Sequence, residues 1–240
     1  MEYLAHRLWS RGQKSLDYRA LEQWLRDQLG ADPDTPLQYG AYLNKEGSLD
    51  ILQEDLRNAS FLVREREEGF RFAHSSIMEF SLARTLFRAL LEVGEQARDL
   101  APAANQAPDL EQALVAVWKI PVPSPGTLDF LGELMRQADR TSWQLASRII
   151  RQGYRSGISE LVLAYGQRAH KHGLPAPDLA CMELTGADLK DWRFEGPPDG
   201  PPLNLSHPRL AGSRLMNARF RRVNLSDANL TSADLTRAEL

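Results

Sequence analysis

The chain has 240 residues, 42% of them hydrophobic and 25% charged, with a formal net charge of -3. This is an ordinary globular composition, long enough for one large domain or for two or three small ones. The negative balance gives no electrostatic case for binding nucleic acid or an anionic membrane, and the lone Cys181 cannot form an internal disulfide, so a reducing, cytoplasmic setting is expected.

The first predicted element is a helix over residues 2–12 carrying Tyr3, Leu4, Leu8 and Trp9 and stopping near Gly12. It is amphipathic and charged and lacks the apolar centre of a signal peptide; no run of about 18 apolar residues follows anywhere in the chain. Because this helix begins at Met1 without a cap, a piece of a longer protein is expected. A second helix is expected from Asp17 to Leu29, with Leu21, Leu25 and Leu29 on one face and Gly30 as its stop. A third should span Leu49 to Ala59 with Ser48 as N-cap. Phe61–Arg64 and Phe70–Phe72 then read as two short strands of a hairpin, Phe70 and Phe72 alternating with Arg71.

Three helices followed by a hairpin outline a winged helix. A DNA-reading version would need a basic third helix and a basic wing. Here the helix carries Asp50, Glu54 and Asp55 against Arg57, and the hairpin tip alternates arginine with glutamate over residues 64–68, which disfavours nucleic acid.

His74 follows in a two-residue hinge, and Ser76-Ile77-Met78-Glu79 reads as a capping box opening the next helix, along which Ile77, Phe80, Ala83, Phe87, Leu90 and Leu91 recur. The run Phe70, Phe72, His74, Ser75, Glu79, Phe80 and Ala83 resembles the closing motif of the winged-helix module in NACHT-type signal-transduction NTPases of the STAND class. The resemblance covers roughly residues 1–92. It departs from the family at Ile77-Met78, where an aromatic-Gln pair is commoner, and at Ser81, where a second aromatic is usual. It implies that His74 contacts the phosphates of ADP held by a neighbouring NTPase domain, with Phe70, Phe72, Ser76, Glu79 and Phe80 as the motif's support.

Helices are then expected over residues 83–93, 110–118, 128–138, 143–152 and 158–170, with a Pro-rich loop at Pro121–Pro125 and with Trp118 and Trp143 as core anchors. His170 and His172 lie two apart on a helix and point away from each other, so a solvated role is expected rather than a metal pair.

After Pro177 the period changes to five. Apolar residues recur at Leu184, Leu189 and Phe194, and again at Leu205, Leu210, Leu215, Phe220, Leu225, Leu230, Leu235 and Leu240. The residue two before each is often small, as at Ala187, Ser213, Ala218, Ala228, Ala233 and Ala238. This resembles the pentapeptide-repeat family, most closely in Ala228-Asn229-Leu230 and Ala233-Asp234-Leu235. The resemblance implies a right-handed quadrilateral β-helix in which four pentads close one coil, the central residue faces the axis, and coils stack about 4.8 Å apart. Eleven such pentads make somewhat under three coils. Trp192, Pro208 and Val223 at small-residue positions and the insert Glu195–Pro202 make the first coil irregular, and the insert should bulge out as a loop. Cys181 is expected to be packed at the solenoid's start, and the uncapped last pentad suggests a covering chain or an oligomer contact there.

The expected fold is thus α+β: a winged-helix-like domain over 1–76, an all-α helical linker domain over 77–175 and a pentapeptide-repeat solenoid over 176–240. No P-loop, nucleophile signature or metal spacing is present, so no enzyme activity is expected. The resemblances together imply the regulatory, sensor portion of a NACHT-type NTPase. Its winged helix would latch on ADP or ATP held by an NTPase domain in cis or in trans. Its repeats would capture a protein ligand through a surface bearing Arg209, Arg214, Arg219, Arg221 and Arg222. The alternative is a free-standing pentapeptide-repeat scaffold; a DNA-mimicking variant would want an acidic solenoid, and here those arginines oppose Asp227, Asp234 and Glu239.

Overall fold

A computed structural model describes residues 1–17, 61–65, 69–99, 107–137 and 157–240. The chain divides into two compact units, Met1–Met78 and Glu79–Leu240.

In the first unit, α1 (Glu2–Ser10) buries Leu4, Ala5 and Leu8 on one face. It ends at Arg11, and Gly12 turns the chain with φ of 63°. The hairpin forms as the alternation predicts: β2 (Leu62–Glu65) pairs antiparallel with β3 (Gly69–Phe72), Leu62 opposite Phe72 and Arg64 opposite Phe70. Leu62, Phe70 and Phe72 are buried while Phe61, Val63 and Arg71 are exposed, the two-residue period of a one-sided sheet. The helix expected from Asp17 is corrected at its start. Leu16 and Asp17 form β1 (Leu16–Asp17), which adds to the other edge of β3, Leu16 opposite Phe70. An open hairpin edge carries unpaired backbone groups, and satisfying them there outweighs a local helical preference. The rest of that expected helix, the helix expected at 49–59 and the hairpin tip at 66–68 lie outside the described residues.

The second unit joins helices to the solenoid. α2 (Ser75–Asp99) is longer than its apolar spacing suggested and buries Leu82, Ala83, Leu86, Leu90 and Val93. α3 (Ala107–Trp118) ends on Trp118, which is fully buried and donates its indole N–H to the Leu86 carbonyl at 3.0 Å, so it ties α3 to α2 as a core anchor should. α4 (Pro125–Gln137) starts with Ser124 as its cap: the Thr127 N–H donates to Ser124 Oγ at 3.2 Å. α5 (Ile158–His172) ends on Gly173 in the left-handed conformation at φ 63°. The expected helix at 143–152, with Trp143, lies outside the described residues. α4 and α5 are held by a two-pronged ion pair, Arg168 Nε and Nη2 donating to Asp129 at 2.7 and 2.6 Å.

The solenoid follows at once. Its coils pair in parallel: β4 (Arg193–Glu195) with β6 (Arg219–Arg221), and β5 (Leu203–Asn204) with β7 (Val223–Asn224). Bridges link Glu183 to Arg209 and Arg209 to Asn229, so one turn takes 26 residues and the next 20. Twenty residues are four pentads. The six extra residues, Pro197–Pro202, form the loop, and the expected insert Glu195–Pro202 is corrected at its start: Glu195 stays in β4, the Gly196 N–H donates to the Arg221 carbonyl at 3.0 Å, and the chain returns at Leu203, which donates to Arg222 at 2.9 Å. Glycine is required at 196, since a Cβ there would sit 2.3 Å from the Arg222 carbonyl oxygen.

The pentad count is corrected upward. Leu179, buried five residues before Leu184, stacks in the column of Leu205 and Leu225, which completes three full coils. It packs on α5, where a Cβ on Gly166 would come within 2.8 Å of the leucine. The first coil is therefore sealed by a helix, a standard need of solenoids. In the first two coils the central residues from Leu179 to Phe220 are buried, whereas Leu225, Leu230 and Leu235 of the third are half-buried.

Cys181 is corrected as well: its side chain is exposed. It occupies the corner position two residues after each pentad centre. There Cys181, Gly186, Asp191, His207, Gly212, Asn217, Arg222, Asp227, Ser232 and Arg237 all have φ between 53° and 72°. A left-handed residue at each corner turns the chain through the next face of the coil and throws the side chain outward.

Candidate functional site

Two places carry the candidate residues: the start of α2 and the outer face of the solenoid.

At the start of α2 the structure corrects the capping reading. The helix begins at Ser75, so Ser76 is already inside it and cannot serve as the cap. His74 takes that role. Its Nδ1 accepts the Ser76 N–H at 3.2 Å, while its carbonyl accepts the Ile77 N–H at 3.1 Å. An Nδ1 that accepts leaves the ring proton on Nε2, so the exposed imidazole presents a donor to its surroundings. The backbone before it is pinned by the Ala73 N–H donating to the Phe61 carbonyl at 2.8 Å, and Phe70 and Phe72 are each 5% exposed beneath the sheet.

Glu79 does not reach back to its own helix start. Its Oε1 accepts the Ser124 hydroxyl at 2.6 Å, placing the carboxylate at the positive N-terminal end of α4. Phe80 is 39% exposed and meets Phe130 edge to face, centroids 5.5 Å apart, with the Arg84 guanidinium 5.9 Å above its ring. Glu79 and Phe80 thus fasten α2 to α4, and His74 is left exposed at the helix start. Among the described residues no group of three His, Cys, Asp or Glu side chains is placed to hold a metal ion. His170 is half-buried rather than solvated, its Nε2 3.0 Å from the Pro201 carbonyl oxygen.

On the solenoid, the five candidate arginines are all exposed, and the coil stacking assigns them different tasks. Arg209 pairs with Glu183 at 3.4 Å, Arg214 with Asp188 at 3.3 Å and Arg219 with Glu239 at 3.2 Å, each bridging adjacent coils. Arg222 donates to the Gly200 carbonyl at 2.7 Å and holds the inserted loop. Arg221 lies in register with Glu195. Sequence reasoning missed Arg193, which stands directly beside Arg219 across the β4–β6 pair. Its signal was the 26-residue offset, legible only once the six-residue insert is set aside.

Along the same outer surface, side-chain carbonyls and carboxylates at the position before each centre accept the N–H two residues on, as at Asp188, Asn204, Asn224, Asn229 and Asp234. Asp234 also accepts the Thr236 hydroxyl at 2.6 Å, and these bonds hold its carboxyl below the usual carboxylate range. The preference of the repeat for Asp or Asn before the leucine is this local bond.

Parallel coils repeating every five residues around an apolar axis define a repeat solenoid. In agreement, the family model described as Pentapeptide repeats matches residues 204–237 in 8 copies. The structure carries the same coil geometry back through Leu179, ahead of the matched segment. No curated protein and no solved structure matches the chain. The match indicates no catalytic family. No helix among the described residues is long and apolar enough to cross a membrane.

Proposed function

We propose that this chain is a non-catalytic interaction protein whose solenoid binds an acidic partner protein through the β4–β6 face. The observation that carries the reading is the side-by-side register of Arg193 and Arg219 on adjacent coils, with Arg221 two residues on. Like charges directly opposed in a sheet destabilise it, so such a pair is favoured where a partner supplies the countercharge. Glu195 and Glu239 offset two of the three guanidinium groups and leave the face net positive. The helices below hold the face still, which lowers the ordering cost of binding.

The test is affinity capture from the source cell's lysate by the full chain and by its Arg193→Glu/Arg221→Glu variant. Neither residue braces a neighbouring coil through an ion pair among the described residues, so the variant's thermal unfolding should match the wild type. An acidic protein held by the wild type and lost by the variant supports the reading. Identical captured sets contradict it.

A second reading is favoured by the geometry of His74. Here the chain is the regulatory portion of a NACHT-type signal-transduction NTPase, with a winged helix over 1–76, and His74 is its nucleotide latch. The supporting observation is the exposed imidazole whose Nδ1 is occupied by the helix cap, which directs Nε2–H outward as a donor suited to a phosphate oxygen. ADP retention by an NTPase portion mixed with or fused to this chain should fall in His74→Ala. Unchanged retention rejects the latch and leaves the scaffold reading intact.

A further inference from the structure

Trp192 breaks the repeat's own rule. Its position two before Phe194 is occupied by Ala218 and Ala238 in the next coils, where a small side chain leaves room at the axis. A tryptophan is accommodated because the first coil has another coil on one side only and borders helices on the other. The ring is only half-buried, and its rear is backed by an aromatic stack: Phe194 at 5.5 Å and 27°, then Phe220 on Phe194 at 4.5 Å and 10°.

The exposed part of this ring forms one wall of a groove of about 330 Å³. The remaining apolar lining is Val122 and Pro123 from the loop ahead of α4, Pro125 and Leu128 from α4 and Ala164 from α5. Three polar side chains also line it, and two are already committed. Gln167 donates to the Arg193 carbonyl at 2.7 Å, and Arg168 makes its two-pronged pair with Asp129. Lys171 is exposed and has no partner among the described residues.

We infer that this groove binds a small, flat aromatic anion, its ring against Trp192 and its carboxylate on Lys171. The chemistry is selective in both halves. A backed indole face and proline edges suit an aromatic ring better than a flexible chain, since the wall is rigid and flat. A single uncommitted ammonium on the lining suits one negative charge, with which it can form a charge-assisted hydrogen bond that a neutral ligand cannot match. The volume lies at the small end of the range for small-molecule sites, enough for about two fused rings. The inference is independent of the proposed partner face and of the His74 latch.

The test is calorimetric titration of the full chain with 2-naphthoate, followed by indole N–H resonances with Trp192 assigned through Trp192→Phe. The expected result is saturable binding of one molecule per chain that shifts the Trp192 resonance. Binding should weaken about tenfold or more in Lys171→Glu, and by a similar factor when 2-naphthamide replaces the acid. Ala164→Leu, which fills the groove from α5, should abolish it with thermal unfolding unchanged. No binding at millimolar 2-naphthoate, equal affinity in Lys171→Glu, or several molecules bound without a Trp192 shift would overturn the inference.

Discussion

At the scale of single residues, the coil is built from two demands that act at different positions. The inward small position tolerates little volume and no unpaired polarity, yet Ser213 is fully buried there with its hydroxyl unbonded. Its column neighbours are Ala187 and Ala233. Ser213→Ala should therefore stabilise the chain by about 1 kcal/mol, measured by denaturant unfolding, because a buried hydroxyl without a partner is costly. The corner position demands a left-handed backbone. Ser232 sits there at φ 58° and is exposed, so Ser232→Val should cost about 1–2 kcal/mol although it touches only solvent, while Ser232→Asn should be close to neutral. The leucine period was legible in the sequence because an apolar residue fills the central position of every pentad, whether buried in the first two coils or more exposed in the third. The corners were not, because Cys181, Arg222, Ser232 and Arg237 are ordinary residues, and the left-handed backbone they share is set by the geometry of the coil rather than by residue type. The cap at His74 was read at Ser76 instead, since the serine pattern fits a helix starting two residues later than this one does.

At the scale of elements, the inserted loop is a detachable addition. Gly196 and Leu203 donate to the consecutive carbonyls of Arg221 and Arg222, so the two loop ends already occupy neighbouring places on the coil. Deleting 197–202 restores the 20-residue turn, with Gly196 free to serve as the missing corner. The deletion variant should keep its far-ultraviolet spectrum and melt within about 5 °C of the wild type, the lost bonds from Arg222 and His170 being exposed. The junction of α4 and α5 responds to acid instead. The Arg168 hydrogen bonds hold the Asp129 carboxyl below its usual range, so the pair contributes its full stability above the unfolded pKa, near 4, and loses it as pH falls through the lower folded value. With side chains 29% and 42% exposed, the pair is worth about 0.5–1 kcal/mol. Asp129→Asn should melt below the wild type at pH 7, and the gap should close below pH 4. The hairpin and most helices were legible from alternation and spacing. β1 was not: two residues carry no period, and their strand exists only because β3 offers an edge. Leu179 was missed as a pentad centre because Pro177 and Asp178 read as linker.

At the scale of the molecule, residues 79–240 form a group of helices and a solenoid fastened to them at one end. Leu179 is pressed against Gly166 of α5, Tyr165 donates to the Pro175 carbonyl at 2.6 Å, and Gln167 reaches Arg193. Burial raises the Tyr165 phenol far above its ordinary range, so it remains a donor at any pH the fold withstands. From that anchor the central leucines go from buried in the first two coils to half-buried in the third. Backbone hydrogen-exchange protection in the free chain should accordingly decline from the first coil to the third. The repeats announce a solenoid in the sequence, but which side chains share a face depends on stacking offsets of 26 and 20 residues that only the folded coil displays. The most direct measurement is hydrogen exchange on the full chain with its captured partner bound. Added protection is expected at Arg193–Glu195 and Arg219–Arg221, and none on α4. Protection confined to the helices, or to other faces of the coil, would contradict the proposed partner face.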